Sequence, residues 1–208
     1  MTNSADAIVS LYERHAAAYD AQRGRTLMEA SWLERFLSLL PAAPSVLDIG
    51  CGMGEPIARH LIERGCAVTG IDSSAPLIEL CRERFPQHSW RVADMRELAL
   101  GRRFDGLIAW DSFFHLRQAD QRLMFPLFRE HAAEGAALLF TSGPGHGEAI
   151  GSFEGEPLYH ASLAPEEYRR LLGDNGFAVV DHIVEDATCG GHTVWLSRYS
   201  AARAPAFK

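Results

Sequence analysis

Three acidic residues, Asp48, Asp72 and Asp94, each end a short apolar run, and the first opens a turn with alternating glycines, Asp48-Ile49-Gly50-Cys51-Gly52-Met53-Gly54. Glycines at this spacing let the backbone reverse sharply and approach a ligand with no Cβ in the way. Asp72 stands 22 residues after Gly50, where a carboxylate ending a second strand can accept both hydroxyls of a ribose. Asp94, followed by Met95, offers an acceptor for an exocyclic amine next to an apolar surface for a flat ring. The chemistry suggested is recognition of a nucleoside. Glu55 and Pro56 follow the turn, and a pyrophosphate at a helix start wants free amides and no carboxylate, which favours a ligand without phosphate there. Two plainer readings stand beside this one. Asp72 and Asp94 could simply cap the helices that follow them, and a glycine turn taken alone suits a nicotinamide or flavin dinucleotide as well.

The elements that must hold these residues alternate. Residues 45–49, 67–71, 89–92, 104–110 and 136–141 read as short buried strands, separated by helical patterns that begin near Pro56, Ser73 or Ser74, and Leu123. Helices alternating with strands predict an α/β fold, a Rossmann-like doubly wound parallel sheet covered on both faces. Before it, residues 6–19 and 26–40 carry helical periodicity, the second stopped by Pro41. Residues 142–162 are punctuated by five glycines and show little periodicity, predicting a long functional loop. Residues 165–175 read as a helix stopped at Gly176. The strands at 178–185 and 192–198 are joined by too short a turn for a crossover, so they should pair antiparallel.

The chain has 208 residues, 47% of them apolar, which suffices for the core of one domain, and 20 basic against 27 acidic side chains give a formal charge of −7. No stretch concentrates Lys or Arg, so nucleic acid is disfavoured as a partner. No apolar run approaches the roughly 20 residues of a membrane helix, and residues 1–6 lack a basic-then-apolar leader. Four cysteines form no CxxC pair and have no metal-ligand spacing with histidine, arguing against zinc or a disulfide framework and for reduced thiols in the cytoplasm. The expected organisation is one domain over 1–208, with an N-terminal helical cap at 1–44, a core at 45–200, a substrate loop at 142–162 and a frayed tail at 201–208. Oligomeric state has no signature in the pattern.

The ordered segments Val46-Leu-Asp-Ile-Gly-Cys-Gly-Met-Gly54, Val68-Thr-Gly-Ile-Asp72, Ala93-Asp94-Met95 and Phe104-Asp-Gly-Leu-Ile-Ala-Trp110 resemble the motifs of class I S-adenosylmethionine-dependent methyltransferases, over about residues 45–198. The resemblance implies a seven-stranded sheet with an antiparallel last strand and S-adenosyl-L-methionine as cofactor, with no metal. By position it assigns the turn of Gly50, Cys51, Gly52 and Gly54 to the methionine part, with Cys51 a small filler, Asp72 and Ser73 to the ribose, and Asp94 with Met95 to the adenine. Asp48 would orient the turn or the cofactor's amino group.

Trp110, Asp111 and Ser112 follow the fourth strand and are expected beside the reacting methyl, with His115 as a possible general base or a packing residue. Asp111-Ser-Phe-Phe departs from the Asn/Asp-Pro-Pro-aromatic motif of the nucleic-acid amino-methyltransferases, which speaks against base flipping. In-line displacement from a sulfonium needs alignment and desolvation first, and a base only when the acceptor starts protonated. His146, Tyr159 and His160 on the 142–162 segment are expected to contact a small-molecule acceptor, and Tyr19 and Arg23 to cover the cofactor near its carboxylate. His192 reads as structural. Two alternative functions remain open from the sequence: a nicotinamide-dependent oxidoreductase and a noncatalytic nucleoside-binding module.

Overall fold

The computed structural model describes residues 4–201. Helices α1 (Ile8–Arg14), α2 (Ala16–Gln22) and α3 (Ala30–Ser38) precede the first strand. Strands β1 (Ser45–Ile49), β2 (Ala67–Asp72), β3 (Ser89–Val92), β4 (Phe104–Ala109) and β5 (Ala132–Ser142) then alternate with α4 (Ile57–Glu63), α5 (Ala75–Arg84) and α6 (Gln118–His131). A hairpin of β6 (Gly147–Phe153) and β7 (Glu156–Ser162), helix α7 (Pro165–Asp174) and strands β8 (Phe177–Asp186) and β9 (His192–Tyr199) complete the described chain.

Seven strands form one sheet in the order β3-β2-β1-β4-β5-β9-β8. Its pairs are parallel except those of β9, which runs antiparallel to both β5 and β8. The period of two explains the layering. Leu107, Ala109, Leu138 and Phe140 face a core with Phe125 and Phe128 of α6 and Tyr168 of α7, whereas Ile108, Trp110, Ala137 and Leu139 face one with Trp32 and Phe36 of α3 and Leu61 of α4. Each of the buried aromatic rings contributes about 1.5–3 kcal/mol by leaving water. Strands apolar on both faces are what a doubly wound sheet requires.

Several boundaries differ from the sequence reading. The expected helix at 6–19 is two helices broken at His15, whose backbone leaves the helical region (φ −109°, ψ 21°). α3 starts four residues later than expected, and β5 starts at Ala132 with a bulge opposite β4. Pro126 sits inside a continuous α6. The largest correction concerns 142–162, which is no loop: Glu154 and Gly155 take left-handed backbone (φ 50° and 78°) and close an antiparallel hairpin, as two-residue turns of that sign do. Nearly all of β6 is exposed on both sides, so no alternation marks it. The hairpin lies over α1 through Phe153, whose ring stacks 5.9 Å from that of Tyr12. Of the tail expected to fray, residues 202–208 lie outside the described residues; Ala201 donates its amide to Glu134.

Candidate active site

The glycine turn leaves β1 and is fixed from beneath by β2, because the carbonyl of Ile71 accepts the amides of both Gly50 (2.8 Å) and Cys51 (3.0 Å). Gly50 has φ 77°, and a Cβ there would lie 2.3 Å from Cβ of Ser112. Ser112 in turn donates to the Ile49 carbonyl at 2.6 Å. The end of β4 is thereby pressed onto the turn, and only glycine allows it. Above the turn, a Cβ on Gly52 would come within 3.2 Å of the Tyr19 ring.

A cleft of about 1000 Å³ of empty space, counting its open mouth, lies here at the carboxyl ends of β1 to β4. Asp72 forms its floor. One carboxylate oxygen accepts the Gly52 amide and the other the Ser74 amide, both at 2.9 Å. Burial raises its pKa while the backbone donors oppose that rise. The Ser73 amide also favours the carboxylate, which keeps lone-pair capacity for a further donor such as a ribose hydroxyl. Ser73 and Met95 also line the cleft, and Leu77 faces it from α5. Asp94 lines it too, but Arg96 grips its carboxylate at 2.5 Å and holds its pKa down, so an amine there would share those oxygens with the guanidinium. The floor and the apolar pair Leu77 and Met95 fit the adenosine portion of the implied cofactor.

At the other end of the cleft, His115 is buried. Its Nδ1 lies 2.8 Å from the Tyr159 carbonyl, which can only accept, so Nδ1 carries the proton and Nε2 the lone pair. The Tyr12 hydroxyl, 3.0 Å away, donates to Nε2. Burial pushes the His115 pKa down to about 4. Burial also raises the phenol of Tyr12, and it pushes Tyr19 up to about 12. Asp111 lines the cleft beside them in left-handed backbone (φ 49°), a costly conformation for a residue with a side chain. His192 Nε2 meets its carboxylate at 3.0 Å.

Of the residues singled out from sequence, Tyr19, Gly50, Gly52, Asp72, Ser73, Asp94, Met95, Asp111, Ser112 and His115 line this cleft together. The others lie elsewhere. Gly54 packs on Phe85 and Cys81, and Cys51 points at Gly70 in the core. Asp48 is buried beneath the turn, where desolvation and the Asp72 charge push its pKa up to about 7. Trp110 is buried and stacks on His192, and Arg23 pairs with the fully buried Glu29 at 2.5 Å. Tyr159 turns its hydroxyl to Glu148 and offers the site only its carbonyl. His160 lies against His115, with ring centroids 4.8 Å apart, while His146 is exposed before β6. Glu55 does not confront the cleft either: Arg25 at 2.8 Å, Arg59 and Arg84 surround its carboxylate.

Sequence reasoning named Ser112 beside the methyl but not its seat against Gly50, missed His192 as the partner of Asp111, and chose Tyr19 and Arg23 rather than Tyr12. The spacing of Tyr12 and Tyr19 by two helical turns was the available signal. For Ser112 and His192 there was none, because both contacts are long-range.

A family model described as a methyltransferase domain matches residues 46–135. Among curated proteins, the chain is 35% identical over 130 residues to magnesium-protoporphyrin O-methyltransferase of Rhodobacter capsulatus, covering 59% of this chain and 55% of that protein. It is 36% identical over 93 residues to dTDP-3-amino-3,6-dideoxy-alpha-D-glucopyranose N,N-dimethyltransferase of Streptomyces fradiae, covering 44% and 36%. The matched segments thus span between about a third and about half of those relatives' lengths. Among solved structures, the magnesium protoporphyrin IX methyltransferase of Synechocystis with bound S-adenosylmethionine superposes with a TM-score of 0.70 at 15% identity, covering 96% of this chain and 99% of that one. That likeness concerns the fold. The matched domain lies over the glycine turn and the first four strands, and the seven-stranded sheet with β9 reversed is the fold this chain shares with solved S-adenosylmethionine-dependent methyltransferases.

Proposed function

We propose that this chain transfers the methyl group of S-adenosyl-L-methionine to a small-molecule acceptor, by O- or N-methylation. The observation that carries the reading is the Asp72 carboxylate, held by the Gly52 and Ser74 amides at the floor of a cleft flanked by Leu77 and Met95. Bound there, the cofactor supplies an activated methyl and a neutral thioether leaving group, so alignment and exclusion of water account for most of the acceleration. Gly50 and Gly52 let the backbone approach it, Asp72 and Ser73 take the ribose, and Asp94 with Met95 the adenine. Tyr19 covers the turn. Arg23 is one residue layer behind it, bound to Glu29, and would reach the cofactor carboxylate only by leaving that partner. At the far end, Tyr12 and His115 face the space an acceptor would fill, and His115, neutral above about pH 5 with its lone pair on Nε2, orients a hydrogen-bond donor rather than removing a tightly held proton.

Relatives named for methylation of a porphyrin and of a dTDP-amino sugar support a small acceptor. So does the cover that α1 and α2 place over the cleft through Ile8, Val9, Tyr12 and Tyr19, with the β6–β7 hairpin set behind His115 through the Tyr159 carbonyl and the His160 ring. We read residues 1–44 as the cap, 142–162 as the acceptor wall, and the whole as one domain. Four buried free thiols and the charge of −7 support a cytoplasmic protein with no role on nucleic acid. Among the described residues no helix is long and apolar enough to cross a membrane. Calorimetry tests the cofactor: S-adenosylhomocysteine should bind and NADH should not. Binding of NADH in its place would return the nicotinamide reading.

A further inference from the structure

The charges around the cleft discriminate between kinds of acceptor. Besides Asp72, its carboxylates are Asp6, Asp94, Asp111 and Asp120, and its cations are Arg96 and Arg117. Neither arginine is free: Arg96 lies 2.5 Å from Asp94 and 3.7 Å from Asp120, and Arg117 lies 2.7 Å from Asp6. Arg23, just behind Tyr19, is bound to Glu29. Among the described residues, every cation at this cleft is already matched or outnumbered by carboxylates. An anionic acceptor would enter a negative, partly desolvated space with no cation to receive it.

One carboxylate is built differently from the rest. Asp111 follows β4 by two residues in the cleft lining, and its left-handed backbone is held by neighbours. Its amide donates to Thr141 Oγ1 at 2.9 Å, and His192 Nε2 sits 3.0 Å and 3.2 Å from its two carboxylate oxygens. His192 Nδ1 faces the Cys189 carbonyl at 2.7 Å. Both ring nitrogens therefore meet oxygens that only accept, which makes the ring an imidazolium. Trp110 stacks on it, and Glu29 adds a second negative charge nearby.

We propose that the methyl acceptor presents a neutral N–H or O–H group to the carboxylate of Asp111, that His192 is the positioning residue holding this carboxylate in place, and that the site refuses carboxylate acceptors. This inference rests on the cofactor reading above. The acceptor's lone pair forms the bond to the methyl carbon as the carbon–sulfur bond breaks, its electron pair staying on sulfur. With a hydroxyl acceptor the O–H proton passes to Asp111 and on to water; with an amine it stays on the product ammonium.

The experiment uses the full chain, methyl-tritiated S-adenosylmethionine and a cell metabolite extract, followed by alkali, which hydrolyses methyl esters to volatile methanol and leaves N-methyl and ether products intact. The label is expected to stay involatile, and Asp111→Asn to lower transfer at least tenfold while the Kd for S-adenosylhomocysteine stays within twofold. Volatile methanol as the main product, or transfer undiminished in Asp111→Asn, overturns the proposal. So does the absence of any transfer by a protein that binds S-adenosylhomocysteine. Failure to bind S-adenosylhomocysteine at all overturns the cofactor reading instead. For His192, whose charged form is sustained by Asp111 and Glu29, the ratio of wild-type to His192→Gln kcat/KM should fall as pH rises and the imidazolium is lost. A ratio independent of pH reduces His192 to packing.

Discussion

The hydroxyl of Tyr12 donates to Nε2 of His115 across 103 residues of chain, at 3.0 Å, and so occupies the one lone pair that His115 could offer to an acceptor. α1 is thus part of the site and not merely a cover. For the imidazole to touch an acceptor, that acceptor must displace the Tyr12 hydroxyl or bind through it.

Tyr12→Phe should therefore change the acceptor KM more than kcat, while His115→Ala should lower kcat by at least tenfold with cofactor affinity unchanged, a modest share of what general-base or orienting groups contribute. Steady-state kinetics beside calorimetry with S-adenosylhomocysteine would check both. Equal rates for wild type and His115→Ala would leave the residue with packing alone.

Acid should act on stability through the same residue. The folded pKa of about 4 lies below the ordinary histidine value of about 6.5, so the unfolded chain binds the proton more readily. Its contribution is complete above pH 6.5 and is lost as pH falls toward 4, by roughly 3 kcal/mol at most. Urea denaturation at pH 7 and pH 4.5 should show this loss in wild type and a smaller one in His115→Gln.

Asp72→Ala should weaken S-adenosylhomocysteine at least tenfold, since a charged hydrogen-bond acceptor contributes roughly 1.5–3 kcal/mol. It also releases the Gly52 and Ser74 amides, so the turn should loosen. Titration calorimetry is the measurement, and undiminished affinity would detach Asp72 from the ribose.

The hairpin holds α1 and α2 partly through exposed ion pairs, Glu156 with Arg14 and His15, and partly through Phe153. Exposed pairs are screened by water and contribute little, so Glu156→Gln should scarcely change the melting temperature. Phe153→Ala should accelerate hydrogen exchange across residues 8–22 while leaving the sheet protected. Uniformly unchanged exchange would mean the cap does not depend on the hairpin.

Trp32 Nε1 donates to Asp186 at 2.9 Å in the buried layer, and this bond helps anchor the segment leading to His192. Trp32→Phe should cost about 1–3 kcal/mol by stranding a buried carboxylate oxygen, with acceptor turnover falling alongside. Thermal denaturation and the transfer assay report the two effects separately.

The order of strands and helices along the chain, the doubly wound sheet and the glycine turn with Asp72 and Met95 at one edge were all legible from residue types and spacing. These follow from periodicity, from glycine's backbone freedom and from acids ending successive strands, all of them local properties. Such patterning failed at β6, whose residues face solvent on both sides and carry no alternation. Packing in three dimensions is what turns Trp110 into the core and Asp111 toward the cleft, binds Arg23 to Glu29, and brings Tyr12 and His192 to His115 and Asp111. The Tyr12–His115 and Asp111–His192 contacts join residues far apart in the chain, and even the Arg23–Glu29 pair, six residues apart, is a choice among buried polar partners that no short-range pattern records.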